Sequence, residues 1–227
     1  MGHGKYIDPF GDARSEPGMT QPVLAGMTQP VLAGGPRACR RVTGNLYQVR
    51  AGEVLNLEFV VLPGESKDID IRIDLLGPGA EAHLKGLYLS SGDEKVNIRI
   101  VMHHRSAGCR STQLFKGIAG GEAQVTFDGT IIVAPDAQQT EAFQENHNIV
   151  LTDSAKVETR PQLEIYADDV KCSHGATVGR LNEDELFYMR SRGIPEKEAR
   201  TLQMLSFLSP VIPSERAEEI EKAIRGL

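Results

Sequence analysis

The sequence has no tryptophan, few other aromatic residues and few cysteines, and each shortage narrows what the protein can be. Aromatic residues make up 5% of the 227 residues, so the core has to be built mainly from Val, Ile, Leu and Ala. The three cysteines, Cys39, Cys109 and Cys172, are too few for a disulfide framework and odd in number. We therefore expect reduced thiols and a cytoplasmic protein.

Excess positive charge and long apolar runs are also missing. The formal net charge is -6, whereas a nucleic-acid-binding surface needs a basic balance. No apolar run reaches the roughly 18 residues of a membrane-spanning helix, and Met1–Phe10 contains no apolar segment of a secretory signal. A glycine-rich phosphate loop, a Cys-x-x-Cys pair and a Gly-x-Ser-x-Gly motif are absent as well. We expect neither nucleic acid nor a membrane among the partners.

The first 42 residues differ in composition from the rest of the chain. They are rich in glycine and proline, and they contain the octapeptide MTQPVLAG twice, at Met19–Gly26 and Met27–Gly34. Such units are too short for a solenoid, whose repeats have about 20 residues or more. We interpret residues 1–42 as a flexible arm.

From residue 43 to about 180, apolar residues alternate with polar ones, as in strands that bury one face. Four such series are Val54–Val61, Ile69–Leu75, Val96–Ile100 and Val125–Val133. Turn residues separate the series, and the later turns recur about every 16 residues. This regular spacing favours a β-helix, in which each coil stacks on the one before it. The pattern alone also allows a jelly-roll sandwich.

Beyond the strand-like region the apolar period becomes helical. Asn182, with Glu185 three residues later, forms a capping-box pattern. Gly193 is typical of the position after a helix end, and Pro195 suits the first turn of a second helix. We therefore expect a β core over residues 43–180 and a helical domain over residues 181–227. The apolar stripes of these helices should pack on the end of the β-helix or on another protein.

Two side chains able to bind a metal lie where the strand pattern gives way to the helical one. Cys172 and His174 are two residues apart, so on a strand they share a face, with roughly 6.6 Å between their Cα atoms. Both could reach one ion through bonds of about 2.0–2.3 Å. The simpler alternative is a buried thiol beside a hydrogen-bonded imidazole. Because two ligands do not complete a four-coordinate site, a metal here would need a second chain.

The other histidines support weaker hypotheses. His103 and His104 are adjacent and would point to opposite faces of a strand. We expect these two, together with His83 and His147, to be structural. A β-helix zinc enzyme of the hydratase or lyase type would need two or three histidines around one ion and an open position for water. Such a metalloenzyme is one alternative function for the chain, and an inert structural interaction module is another.

A longer motif surrounds the two candidate ligands. IYADDVKCSHGATVG at Ile165–Gly179, followed by ELFYMRSRGIP at Glu185–Pro195, resembles the SufB/SufD family of the SUF iron–sulfur cluster assembly system. The KCSHGAT form is most similar to SufD, and the resemblance covers about residues 45–227. It implies a right-handed parallel β-helix followed by a small C-terminal helical domain. Family members usually also have an N-terminal helical domain, which is not recognisable in the first 40 residues.

The resemblance implies a scaffold rather than an enzyme. Members of the family pair through their β-helices, a transient iron–sulfur cluster or iron is held at the interface, and the C-terminal helices dock SufC, an ABC-type ATPase. Carried over, this assigns cluster or metal binding to Cys172 and His174, with a SufB-type chain or a second copy as the partner. We expect no tightly bound cluster in the isolated chain. The expected ATPase-binding residues are Leu186, Phe187, Met189, Leu202 and Leu205.

Overall fold

The structure is a computed structural model that describes residues 40–43, 45–64 and 66–227. The predicted arm therefore lies outside the described residues as far as residue 39. The described chain folds into eleven strands, three α-helices and two short 3₁₀ turns. The strands are β1 (Arg40–Thr43), β2 (Leu46–Val49), β3 (Val54–Val61), β4 (Lys67–Leu75), β5 (Glu81–Ser90), β6 (Lys95–His104), β7 (Arg110–Ala119), β8 (Gln124–Val133), β9 (Thr140–Val150), β10 (Lys156–Ile165) and β11 (Val170–Gly179). The helices are α1 (Glu183–Ser191), α2 (Glu196–Leu208) and α3 (Ala217–Ile224), with 3₁₀ turns at Ser209–Val211 and Ser214–Arg216.

The strands form two sheets that together make a β-solenoid of about 5 turns. One sheet has the order β1-β2-β4-β6-β8-β10 and the other has the order β11-β9-β7-β5-β3, so from β2 onward successive strands alternate between the two sheets. All neighbouring strands are parallel except the pair β1 and β2. The predicted parallel β-helix is confirmed, and the jelly roll, which is antiparallel, is excluded.

Alternate residues of each strand fill the space between the two sheets. In β4, Ile69, Ile71 and Ile73 are buried, whereas the alternating Asp68 and Asp70 are exposed. A shift of one residue in pairing would turn the isoleucines outward, so the apolar pattern fixes the register. The alternation predicted from the sequence is confirmed, and it accounts for the main apolar core.

Two interior glycines make room for aromatic rings from the adjacent coil. Tyr88 lies directly opposite Gly117, and Phe115 lies opposite Gly86. A Cβ atom on Gly117 would stand 1.8 Å from the Tyr88 ring, and one on Gly86 would stand 2.1 Å from the Phe115 ring. Tyr88 and Phe115 therefore fill the interior, each packed against a glycine of a neighbouring strand.

The helices cover the outer face of the sheet that contains β3, β5, β7, β9 and β11. On that face Leu87, Leu89 and Ile118 join a second apolar cluster with helical residues. The fully buried helical members of that cluster are Leu186, Ala199, Met204, Leu208, Ile220 and Ile224. The helices therefore pack on the side of the solenoid, so the expected position of their apolar stripes on its end is wrong. The reason is that this sheet carries apolar side chains on its outer face as well as its inner one.

Local sequence signals explain where α1 begins and ends. The side-chain oxygen of Asn182 accepts hydrogen bonds from the backbone N–H groups of Asp184 and Glu185, as the capping-box pattern predicts. Gly193 follows the helix with a φ of +86°, a conformation that glycine adopts without steric cost.

Within the described residues, no helix combines the length and apolar character needed to cross a membrane.

Lys116 of β7 contacts the C-terminal end of α2 and links it to the sheet. Its ammonium group donates a hydrogen bond to the Phe207 carbonyl at 2.9 Å and lies 4.7 Å from the centre of the Phe207 ring. A cation at this position also interacts favourably with the carbonyl end of the helix. Partial burial lowers the pKa of Lys116, while Glu145 opposes that effect.

Candidate functional site

The last coil of the solenoid, made of β10 and β11, leaves an open edge on each sheet. Each of these strands is last in its sheet, so within the described chain no further strand pairs with either. Their residues are also less buried than those of earlier strands, and β11 contains only partly buried and exposed residues. The free backbone groups of such an edge can pair with a strand of another chain.

Strand β11 carries both predicted ligands. In its register with β9, Cys172 lies opposite Ala142 and His174 lies opposite Gln144. Ala142 and Gln144 are buried and face the interior. Because neighbouring residues in register share a face, Cys172 and His174 both lie on the interior side of the last coil. They therefore share one face, as their spacing predicts.

The two side chains differ in exposure. Cys172 packs against the interior apolar core, and burial raises the pKa of its thiol, with the Ala142 backbone opposing the effect. The thiol is therefore protonated at neutral pH and has to lose its proton before it can bind a metal. His174 is exposed and is the accessible donor of the pair.

One chain does not complete a metal site from the residues that the structure describes. Among them, no three His, Cys, Asp or Glu side chains are grouped closely enough to hold an ion. Cys172 and His174 supply at most half of a four-coordinate site. One thiolate sulfur and one imidazole nitrogen suit zinc, iron or an iron–sulfur cluster, so the chemistry fits if a second chain brings the remaining ligands.

The other strand histidines are held by the fold. His103 and His104 are fully buried, and His104 shares a hydrogen bond of 2.8 Å with the Ser111 hydroxyl. Burial, followed by the nearby His103, lowers the pKa of His104 to about 3, so this imidazole stays neutral. On the outer face, His83 and His147 each contact one threonine and one glutamate. The described residues thus do not supply the converging histidines that the zinc-enzyme alternative requires.

Amide side chains line the interior next to the last coil, and the sequence analysis missed them. Gln113, Gln144, Asn146 and Asn148 are all buried. Asn146 donates to the Tyr88 hydroxyl at 3.0 Å, the hydroxyl donates to Asn148, and Asn148 donates back to Asn146 at 2.7 Å. The signal for this group was a run of polar residues at positions where earlier strands carry apolar ones.

A second candidate surface is a groove of about 760 Å³ between α1, α2 and the sheet. Its apolar lining comes from Ile149, Leu181, Tyr188, Met189, Leu202 and Phe207. Tyr188 is 59% exposed, and the neighbouring Phe187 is 71% exposed. Exposed aromatic and aliphatic side chains grouped in this way are typical of protein interaction sites.

The predicted ATPase-binding residues divide into two groups around this groove. Met189 and Leu202 line it, whereas Phe187 is exposed on α1 but is not among the residues that line the groove. Leu186 is buried in the cluster between helices and sheet, and Leu205 is partly buried there, so these two support the surface from below. The sequence analysis missed Tyr188, although it stands next to Phe187 in the same exposed turn.

The matched region of a known family includes nearly the whole of this architecture. A family model described as "SUF system FeS cluster assembly, SufBD core domain" matches residues 41–207. The chain belongs to the SufBD family. The match contains the solenoid, the segment with Cys172 and His174, helix α1 and nearly all of α2, so the resemblance seen in the sequence motif is confirmed.

Relatives of this SufBD chain include proteins from bacteria and from a plant. It is 37% identical to the iron–sulfur cluster assembly protein SufD of Escherichia coli (strain K12) over 150 aligned residues. This alignment covers 66% of this chain and 36% of that protein. It is 34% identical over 161 residues to an iron–sulfur cluster assembly SufBD family protein of Mycobacterium leprae, covering 67% and 41%. It is 36% identical over 160 residues to the chloroplastic protein ABCI7 of Arabidopsis thaliana, covering 69% and 33%. The SufBD chain thus spans well under half the length of these three relatives.

Proposed function

We propose that this chain is a SufD-like, non-catalytic scaffold subunit for iron–sulfur cluster assembly. The observation that carries the proposal is the open strand β11, on which Cys172 and His174 share one face, with no third ligand grouped near them in the described chain. Cys172 and His174 are half of a four-ligand set, and they lie on an edge that can accept another strand. This arrangement suits a cluster that is built between two chains. The cluster is then a cargo that forms at the interface and leaves it.

The proposed partner at the open edge is a SufB-type chain or a second copy of this chain. Strand addition would supply main-chain hydrogen bonds to β10 and β11 and bring further ligands to Cys172 and His174. Ile165, Tyr166 and Val178 are large apolar residues exposed on or next to these strands, by 38%, 47% and 46%. Their burial would favour association, because apolar area would be removed from water.

The groove between α1 and α2 is the proposed docking surface for a SufC-type ABC ATPase. Tyr188 and Leu202 offer exposed apolar contacts in the groove, and Phe187 adds an exposed ring on the same helix. The buried Leu186 keeps α1 in place. Buried aromatic anchors dominate the binding energy of many protein interfaces. ATP hydrolysis would belong to that partner.

Anaerobic reconstitution with iron and sulfide tests the cluster-binding role. It would be run on the chain alone and on its complex with a SufB-type partner and a SufC-type ATPase, with detection by visible absorption and sizing chromatography. We expect cluster absorption only in the complex, and its loss in Cys172→Ala and His174→Ala complexes that still assemble. The matched control is His83→Ala on the outer face, which should keep the cluster. Equal absorption in all four proteins would reject the proposed site.

Docking of the ATPase is tested separately in the same assay with Tyr188→Ala, a change at an exposed residue that lines the groove. This variant should elute without the ATPase while still pairing with the SufB-type partner. If wild-type protein binds neither partner, the scaffold function is wrong and only the fold stands.

A further inference from the structure

Two interior amides next to the proposed site have atoms without hydrogen-bond partners. Gln144 donates its Nε2–H to Oε1 of Gln113 at 3.2 Å. Oε1 of Gln144 and Nε2 of Gln113 are buried and unbonded, and the two residues are only 1% and 2% exposed. Buried polar atoms in native proteins are nearly always hydrogen-bonded, so this orphaned oxygen needs an explanation.

The strand register aligns these amides with His174. Gln113 of β7 lies opposite Gln144 of β9, and Gln144 lies opposite His174 of β11. The three residues therefore form one interior row that ends at the open edge. Adjacent strands in a sheet are about 4.8 Å apart, a separation that an imidazole and a glutamine amide can bridge with one hydrogen bond.

The existing contacts restrict what Gln144 can offer. Its amide nitrogen is engaged by Gln113, so its oxygen, an acceptor, is the group that remains. The amide also packs against Gly129 of the opposite sheet, where a Cβ atom would stand 2.2 Å from Gln144 Nε2. Gln144 is thereby held in place, whereas the exposed His174 ring at the edge has room to turn toward it.

We propose that Gln144 is a positioning residue for His174, and this inference rests on the proposed function. Oε1 of Gln144 accepts a hydrogen bond from one imidazole N–H and so fixes the tautomer of His174. The second ring nitrogen then keeps its lone pair and is directed to the open edge, where it can bind iron. Histidine ligands in metal sites are commonly oriented by an acceptor of this kind.

Nitrogen-15 NMR of the full chain with labelled histidine tests the proposal. The His174 signals are assigned as those that disappear in His174→Ala. The spectra are recorded at a pH of about 9, well above the pKa of free histidine. We expect widely separated shifts of the two ring nitrogens in wild type, from one dominant tautomer, and convergence of these shifts in Gln144→Leu. Gln144→Glu keeps an acceptor and should restore the separation. Thr159→Val is the control, because it removes another buried hydroxyl without a partner, in strand β10 of the same coil.

Identical His174 shifts in wild type and Gln144→Leu would overturn the proposal, as would convergence in Thr159→Val alone. Circular dichroism checks that each variant is folded. A second readout is Fe(II) affinity of the complex with the SufB-type partner, which should fall about 10–100-fold in Gln144→Leu. If the NMR result holds but neither wild type nor variant binds iron in that complex, the positioning contact stands and the proposed function fails.

Discussion

Replacing Tyr88 with Phe would measure how much the interior polar group contributes to the stability of the solenoid. The Tyr88 side chain is 1% exposed, and its hydroxyl accepts from Asn146 and donates to Asn148. Burial raises the pKa of Tyr88, so the hydroxyl stays protonated and remains a donor over the usual pH range. Removal of the hydroxyl leaves one buried donor and one buried acceptor without partners.

The expected loss follows from these two orphaned groups. Each costs about 1–3 kcal/mol when it is left buried and unbonded, so we expect the free energy of unfolding to fall by about 3 kcal/mol in Tyr88→Phe. For a chain of this size, 1 kcal/mol corresponds to about 2–4 °C, so Tm should fall by roughly 6–12 °C. Urea unfolding followed by circular dichroism provides the free energy, and a thermal scan provides Tm.

Two controls test whether the lost hydrogen bonds of the Tyr88 hydroxyl cause the loss of stability. Tyr188→Phe removes a hydroxyl from a side chain that is 59% exposed, and it should change stability by less than about 0.5 kcal/mol. In an Asn148→Ala background, Tyr88→Phe should cost clearly less than in wild type, because the two side chains share a hydrogen bond. An unchanged stability in Tyr88→Phe, or the same loss in both backgrounds, would contradict this account of the polar group.

Three further substitutions test other parts of the fold. Leu186→Ala should lower the free energy of unfolding by about 2–5 kcal/mol because it leaves a cavity under α1, whereas the exposed Phe187→Ala should leave it nearly unchanged in the same urea titration. Gly117→Ala should cost about 1–3 kcal/mol, since the added Cβ would overlap an aromatic ring, and equal thermal stability would show that the ring can move aside. The hydrogen bond from the Arg225 guanidinium holds the pKa of Glu198 below its ordinary value of 4.5. The ionised carboxylate therefore stabilises the fold above pH 4.5, and this contribution is lost as the pH falls through the lowered pKa. Glu198→Gln should therefore flatten the acid side of the stability profile, and an unchanged profile would contradict the pairing of Glu198 with Arg225.

The sequence predicted those features that depend on local periodicity. Alternation in series such as Ile69–Leu75 identifies the buried face of a strand, because successive side chains point to opposite faces. The spacing of Cys172 and His174 predicts a shared face for the same reason. Capping by Asn182 and helix termination before Gly193 are equally local, and both are as predicted.

Features that depend on contacts between distant segments could not be predicted in this way. Leu202 fits the helical apolar stripe and yet is 41% exposed, while Met204 is buried, because the position of α2 against the sheet decides which side is covered. The row from Gln113 to His174 exists only through pairing between residues about 30 positions apart. Periodicity within one strand contains no information about such a register.

The stacked coils have a consequence for the dynamics of the site. Each coil of a solenoid is stabilised by its direct neighbours, and the coil formed by β10 and β11 has a neighbour on one side only within the described chain. Opening this coil disrupts no internal layer, so its amide protons should exchange with solvent faster than those of the internal strands β5, β6, β7 and β8. A partner seated on β11 would turn a fraying terminus into an internal layer. Ordering of Cys172 and His174 and recruitment of the second subunit would then be one thermodynamic event, and the free chain would have a low intrinsic affinity for its cargo.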